Sequence, residues 1–384
     1  MADKDEKRKP NPLIRYLVAL VIAVIIIAAY LLSQHNPPAA TTTTKTASTT
    51  ITYLTTAYVN NTSTIPPTTI VQQLSDNVYC IGGYNGINGN ETDLAFHALL
   101  SQNGTSAWLP TTSYPIGIAR SSCLQYNSTI YCIGGQQQFG GQTIFTNSTY
   151  YLSLPTTSIS SWLYAIPYPQ PVYSTSCVTS GNMAYCIGGI NASNASTLDY
   201  YATLNSNGTL GWRNTTAYPS DIYAQSCAAS SGYVYCVGGW LKNNVNATPS
   251  TYYAALNSSG IGAWKQSTPY PISVIKPACV ISDGYIYCVG NSLVVGEGNT
   301  SYYAPISSSG IGGWIHTSNY PQNIGGTYGC VSKSGLIYCT GGGGEFGPET
   351  NATYYAQLSP SGIGKWRSTS PYPLPIALQS CITT

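Results

Sequence analysis

The chain has 384 residues, only 7% of them charged, with a formal net charge of +2. That length suits one large domain or two ordinary ones, and the charge lies far below the roughly one quarter usual for a soluble domain. Beyond Leu32 nine basic residues face nine acidic ones, so this portion is neutral. It has no electrostatic footprint for a phosphate backbone, which excludes nucleic acid as a partner.

The N-terminus gathers Lys4, Lys7, Arg8, Lys9 and Arg15. From Tyr16 to Leu32 no residue is charged, and Leu13 and Ile14 extend the apolar run. About twenty helical residues cross the roughly 30 Å hydrocarbon layer, and Arg15 near the end can snorkel. The basic cluster before the run predicts a cytoplasmic segment 1–12, a single transmembrane helix 13–32, and an exterior location for the rest. The alternative is a cleavable signal peptide, favoured by the small Ala28 and Ala29; its apolar core is normally about 7–15 residues, shorter than this one.

Residues 33–70 form a Thr/Pro-rich linker (TTTTKTASTTITYLTT, then STIPPTT). It has no sustained apolar period and builds no core, so an extended stalk is expected. Asn-x-Ser/Thr triplets begin at Asn60 and Asn61 in the linker. Twelve more follow at Asn90, Asn103, Asn127, Asn147, Asn191, Asn194, Asn207, Asn214, Asn246, Asn257, Asn299 and Asn351. Their number, all beyond the apolar run, predicts a glycoprotein exported from the cytoplasm.

Residues 71–384 repeat. Tyr-Cys recurs at Tyr79-Cys80, Tyr131-Cys132, Tyr185-Cys186, Tyr235-Cys236, Tyr287-Cys288 and Tyr338-Cys339, at spacings of 52, 54, 50, 52 and 51. Tyr pairs follow in phase, from Tyr150-Tyr151 to Tyr354-Tyr355, with Phe96-His97 in the first unit. Each unit then has one Trp (Trp108, Trp162, Trp212, Trp264, Trp314, Trp366) and, six residues later, a Tyr-Pro. Periods near 50 residues built from short β-rich runs indicate propeller blades.

With its glycine doublets (Gly82-Gly83, Gly134-Gly135, Gly188-Gly189, Gly238-Gly239, Gly341-Gly342) followed by Tyr and Trp at set distances, the repeat resembles the Kelch family. The fifth unit departs from it with Gly290-Asn291, and neither the doubled Tyr nor the cysteines are general to that family. The resemblance implies a propeller and hardly constrains activity. The expected fold is therefore all-β: a six-bladed β-propeller of four-stranded antiparallel blades, preceded by one N-terminal transmembrane helix. Within a unit, Ser122–Tyr126 is read as the first strand, 130–133 as the second and 150–152 as the third, with the fourth beginning at Trp162. The aromatics are read as core between blades.

Five cysteine pairs lie nine residues apart: Cys123/Cys132, Cys177/Cys186, Cys227/Cys236, Cys279/Cys288 and Cys330/Cys339. Each spans a tight hairpin, where facing positions suit a disulfide. Cys80 has a second-strand context with no first strand before it, and Cys381 the reverse. The C-terminal strand is therefore expected to close the first blade with a Cys80–Cys381 bond. Zinc is disfavoured by the absence of Cys-x-x-Cys and by only three histidines.

No cofactor is implied, and an enzyme is not expected. A copper radical oxidase, an activity related to Kelch propellers, needs converging His and Tyr ligands, but only His97 and His316 are available and both fall in outer-strand registers. Ser307–Trp314 looks like a degenerate sialidase box, yet the repeat region has only Arg120, Arg213 and Arg367 to hold a carboxylate. Carboxylates suited to glycoside hydrolysis (Asp221, Asp283, Glu297, Glu345, Glu349) are scattered over several units. The run Gly341–Gly344 has no following Lys-Ser/Thr for phosphate binding.

What remains is a binding face. The segments after the glycine doublets carry Tyr84, Gln136, Gln137, Gln138, Phe139, Trp240, Lys242, Glu345 and Phe346, and those before the first strands carry Arg120, Asp221, Tyr223 and Lys276. Arg120, Tyr223, Trp240 and Lys276 are the candidate binding residues. The expected function is a membrane-anchored surface recognition or adhesion module for an extracellular protein or glycan, with a cell-envelope coat component as the alternative.

Overall fold

A computed structural model describes residues 76–384, apart from 140, 155–159, 192–197, 206–207, 210, 243–246, 291–297, 323–328 and 344–347. The expected cytoplasmic segment, membrane span and linker lie outside the described residues, as do Asn60, Asn61, Asn194, Asn207 and Asn246. Among the described residues no helix is long and apolar enough to cross a membrane.

Four-stranded antiparallel sheets recur along the chain. One contains Ser122–Tyr126, Thr129–Ile133, Thr149–Ser153 and Leu163–Tyr164 in that order. The same arrangement opens again at Ser176–Ser180, Ser226–Ser230, Ala278–Ser282 and Cys330–Lys333. A further sheet is built from both ends of the repeat region. Ser380–Thr383 pairs with Asn77–Ile81, which pairs with Ala95–Ser101, and Leu109–Pro110 completes the order. The first strands lie side by side from sheet to sheet, and residues from all of them line one central cavity of about 320 Å³. The result is a propeller-like all-β fold.

Tight turns set the strand boundaries. In the turn after Ser122–Tyr126, Asn127 takes φ +51°, a left-handed value Asn tolerates. The second strands are buried at every residue after the first, and Thr129–Ile133 along its whole length. They have neighbouring strands in the plane and neighbouring sheets on both faces, which is why they read as unbroken apolar runs.

Aromatic rings join the sheets. Each Tyr of a Tyr-Pro meets the Trp of the next sheet edge-on: Tyr114 meets Trp162 and Tyr168 meets Trp212, with centroids 4.9 and 5.0 Å apart. The Trp indole N–H donates to backbone of the preceding sheet, Trp162 to Thr112 O at 3.1 Å and Trp366 to Ser318 O at 3.2 Å. The aromatics are core between sheets, as their phase in the repeat implied.

The glycine doublet has a steric cause. Gly134 has φ +60°, and a Cβ there would stand 2.4 Å from the carbonyl oxygen of Val172 in the next sheet. The following amide, Gly135 N–H, donates to that same oxygen at 2.7 Å. A side chain would both strain the backbone and separate the sheets. In the fifth unit Gly290 keeps φ +80°; Asn291 lies outside the described residues.

Six disulfides are present and no cysteine is free among the described residues. Five join partners nine residues apart, and the sixth joins Cys80 to Cys381 across 301 residues. In each, the two cysteines are direct register partners. Around the centre a belt of hydrogen bonds ties first strands together. Cys123 N–H donates to Ser380 Oγ at 2.9 Å, and Cys177 N–H to Ser122 Oγ at 3.0 Å. Cys227 and Cys279 do the same with Ser176 and Ser226.

Two details differ from the sequence reading. Thr129 belongs to the second strand rather than the turn, and the fourth strand starts one residue after the Trp, at Leu163. Segments expected as plain loops also carry ladders of their own: Gln136–Phe139 pairs with Gln142–Phe145, and Tyr84–Asn85 with Asn90–Glu91.

Candidate recognition site

Antiparallel order puts the turns after the first and third strands at one end of the sheets, and the segments after the second and fourth strands at the other. At that second end, the residue three positions before each first-strand cysteine has a positive φ. Arg120, Ser174, Ala224, Lys276 and Leu378 have values of 57°, 53°, 56°, 51° and 62°. The equivalent Thr327 lies outside the described residues. None of the five is glycine or asparagine, so each conformation costs on the order of 1 kcal/mol or more and needs enforcement.

A chain of backbone hydrogen bonds supplies it. Arg120 N–H donates to Leu378 O, Ser174 N–H to Arg120 O, and Ala224 N–H to Ser174 O, each at 3.0 Å; Lys276 N–H donates to Ala224 O at 2.7 Å. Arg120, Ser174 and Ala224 each turn the amide back to the preceding sheet and the carbonyl on to the next, which a left-handed residue achieves. These bonds form an annulus at the end of the first strands.

Short ladders flank the annulus. Tyr223 pairs with Trp240, Ala377 with Tyr84, Ala119 with Gln136, and Tyr173 with Ile190. The ladders bring aromatic rings together. Tyr223 stacks on Trp240 with centroids 6.4 Å apart at 27°, and Phe145 stacks on Tyr173 at 4.4 Å and 22°. The Arg120 guanidinium carbon stands 5.7 Å above the Tyr173 ring, a cation–π distance.

Of the four residues singled out from the sequence, Tyr223 and Trp240 therefore meet, and Arg120 and Lys276 share the annulus. Lys276 is only 5% exposed. It is packed into the protein, whereas Arg120 retains partial exposure. Gln137 is buried as well. Gln136 Nε2 donates to Glu91 Oε1 at 2.8 Å, joining segments of two neighbouring sheets. Lys242 stands 3.9 Å from Asp221. Glu297, Glu345 and Phe346 lie outside the described residues, as does the Phe139 side chain.

Sequence reasoning misses Tyr173 and Phe145. Tyr173 stands four positions before Cys177, as Tyr223 does before Cys227. Aligning the units on their first-strand cysteines exposes that equivalence. Phe145 gives no such signal, since its position depends on the extra hairpin.

The acceptor asparagines fall at both ends of the sheets. Asn103, Asn127 and Asn257 lie at turns on the end away from the annulus, all exposed. Asn90, Asn147, Asn191, Asn299 and Asn351 lie on the annulus end, and Asn214 is exposed on a fourth strand. His97 is on a third strand, stacked on Tyr79 at 5.4 Å, with its pKa lowered by burial. His316 is on a fourth strand, 2.9 Å from Asn319 Oδ1.

No protein-family model matches the chain, and no curated protein matches it. Solved structures are similar. One is the structure of YjhT, a Kelch-type propeller protein, at a TM-score of 0.59 and 12% identity, over 75% of this chain and 96% of that one. At that identity the likeness shows the fold alone.

Proposed function

We propose that this chain is a membrane-anchored cell-surface glycoprotein. Its Kelch-like domain is a six-bladed propeller that recognises a protein or glycan partner through the annulus end, without catalysis. The supporting observation is the pair of stacked aromatic couples, Tyr223–Trp240 and Phe145–Tyr173, beside the annulus with Arg120 over Tyr173. Tyr, Trp and Arg are the residues that contribute most when an interface is desolvated, and flat aromatic faces also take sugar rings. Six disulfides suit an oxidising, extracellular compartment. A copper radical oxidase is the less favoured reading, because His97 and His316 lie on a third and a fourth strand.

The full chain applied to a glycan array and to a pull-down from cell surfaces tests this reading. Binding that is lost on Trp240→Ala or Tyr173→Ala, with the melting temperature unchanged, supports it. Silence in both assays from a folded protein contradicts it. A second reading, a structural coat component of the cell envelope, is favoured by acceptor asparagines at both ends of the sheets. Quantifying the protein's abundance in the membrane fraction separates the two, because a coat must be plentiful.

A further inference from the structure

The repeats serve as an internal comparison, because a residue kept in all units is explained by the fold and a departure is not. One seam departs at several positions together. Between the last sheet and the sheet that holds the start of the repeat region lies a cavity of about 150 Å³, lined by Gln102, Leu336, Tyr355, Ala356, Gln357, Lys365 and Arg367. Lys365 precedes its Trp where the other units have Ala107, Ser161, Gly211, Ala263 and Gly313. Gln357 stands where they have Leu99, Ser153, Thr203, Ala255 and Pro305. Gln102 comes from a turn that carries Ser or Pro in the later units. Arg367 has basic counterparts at Arg213 and Lys265, but without the neighbouring lysine and amides.

The chemistry of this lining is one-sided. Two cations and two amides face the space, with no carboxylate among the lining residues. Lys365 and Arg367 are exposed and have no ion-pair partner among the described residues. The Gln357 amide nitrogen is held by Gly335 O at 2.9 Å, which leaves its carbonyl oxygen as an acceptor. A cavity of this volume exceeds the roughly 30 Å³ share of one water, and so is larger than a small inorganic ion needs.

We propose that this seam is an anion-binding site that takes the carboxylate of an acidic monosaccharide unit. Lys365 and Arg367 supply charge-assisted hydrogen bonds to the carboxylate, and Gln102 and Gln357 meet ring hydroxyls. The site is assembled only when the ring closes, because Gln102 and Arg367 come from opposite ends of the repeat region. It lies away from the annulus and does not depend on recognition there.

Calorimetric titration of the full chain with D-glucuronate, D-glucose and sodium sulfate tests the assignment. Glucuronate is expected to bind saturably, more weakly as salt is raised, and glucose not to bind. Lys365→Ala combined with Arg367→Ala should weaken glucuronate binding at least tenfold, on the order of 1.4 kcal/mol, and Gln102→Ala less. Arg213→Ala combined with Lys265→Ala, on equivalent strands where Gly211 and Ala263 stand in place of Lys365, should change nothing, as should Trp240→Ala. All these side chains except Trp240 are exposed, and equal melting temperatures certify folding. The proposal is overturned by no saturable glucuronate binding, by an unchanged affinity in the 365/367 variant, or by an equal loss in the 213/265 variant. Sulfate binding as tightly as glucuronate also overturns it, since the sugar then contributes nothing.

Discussion

Trp108 meets Tyr372 edge-on, with 4.9 Å between ring centroids, and its indole N–H donates to Ser370 O at 3.2 Å. These residues lie near opposite ends of the repeat region, yet the contact reproduces that of Tyr114 with Trp162 one unit later. Nearby, Tyr338 donates its hydroxyl to Ser101 O at 2.8 Å, as Tyr185 does to Asn257 O and Tyr235 to Ser307 O. The seam between first and last sheets thus has the packing of an internal one. Lys333 adds an ion pair to Asp76 at 3.2 Å and a hydrogen bond to Thr384 O at 3.1 Å.

Asp199 should make stability depend on pH in an unusual sense. It is 1% exposed, and burial raises its carboxyl to about 8, against the hydrogen bond from Gly188 N–H. The folded state therefore keeps a proton that the unfolded chain, at about 4, has lost. Between about pH 4 and pH 8 stability falls as pH rises, and above that window the loss is complete. Other units carry Ala95, Thr149, Thr251, Ser301 and Thr353 at this position. Asp199→Asn keeps an acceptor for Gly188 and should raise the melting temperature at pH 8 more than at pH 5. Equal shifts at both pH values would contradict the assignment.

Gly134→Ala should be more damaging than Gly232→Ala. Both glycines have positive φ, but a Cβ at Gly134 meets Val172 O at 2.4 Å, whereas at Gly232 nothing lies within 4 Å. Gly232→Ala isolates the backbone effect, about 1 kcal/mol. Gly134→Ala adds the separation of two sheets, on the order of 1–3 kcal/mol more by the usual cost of overpacking. Urea unfolding of the two variants measures the difference, and equal destabilisation would contradict the steric account.

Much of this was legible in the sequence, for a physical reason. Six in-phase copies of Cys, Trp and Tyr-Pro, with a Tyr pair in five of them and Phe96-His97 in the first, define the sheets because each marker occupies one recurring environment between neighbours. The unpaired Cys80 and Cys381 announced how the chain ends meet. The site was less legible. Lys276 and Arg120 occupy equivalent positions, yet one is buried and the other partly exposed, a difference that the repeat phase, being the same for both, does not encode. Phe145 reaches Tyr173 through the hairpin of Gln136–Phe139 and Gln142–Phe145, whose register the repeat markers do not set.

Removing one hydroxyl of the central belt should cost about 1 kcal/mol, the usual net value of one hydrogen bond. Ser176→Ala deletes the acceptor for Cys227 N–H, held at 3.0 Å. The cost should show in urea unfolding without any change in the disulfide pattern. A destabilisation below about 0.3 kcal/mol would mean that water replaces the hydroxyl.

Glycopeptide mass spectrometry of protein from its native source should find sugar on exposed acceptors such as Asn103, Asn127, Asn257 and Asn351. Unmodified asparagine at every acceptor would contradict the surface-glycoprotein reading.

The most direct test is a disulfide map of the non-reduced protein by peptide mass spectrometry. The closed ring predicts a peptide pair joined through Cys80 and Cys381, alongside five pairs from cysteines nine residues apart. Finding Cys80 and Cys381 as free thiols, or bonded to any other cysteine, would contradict it.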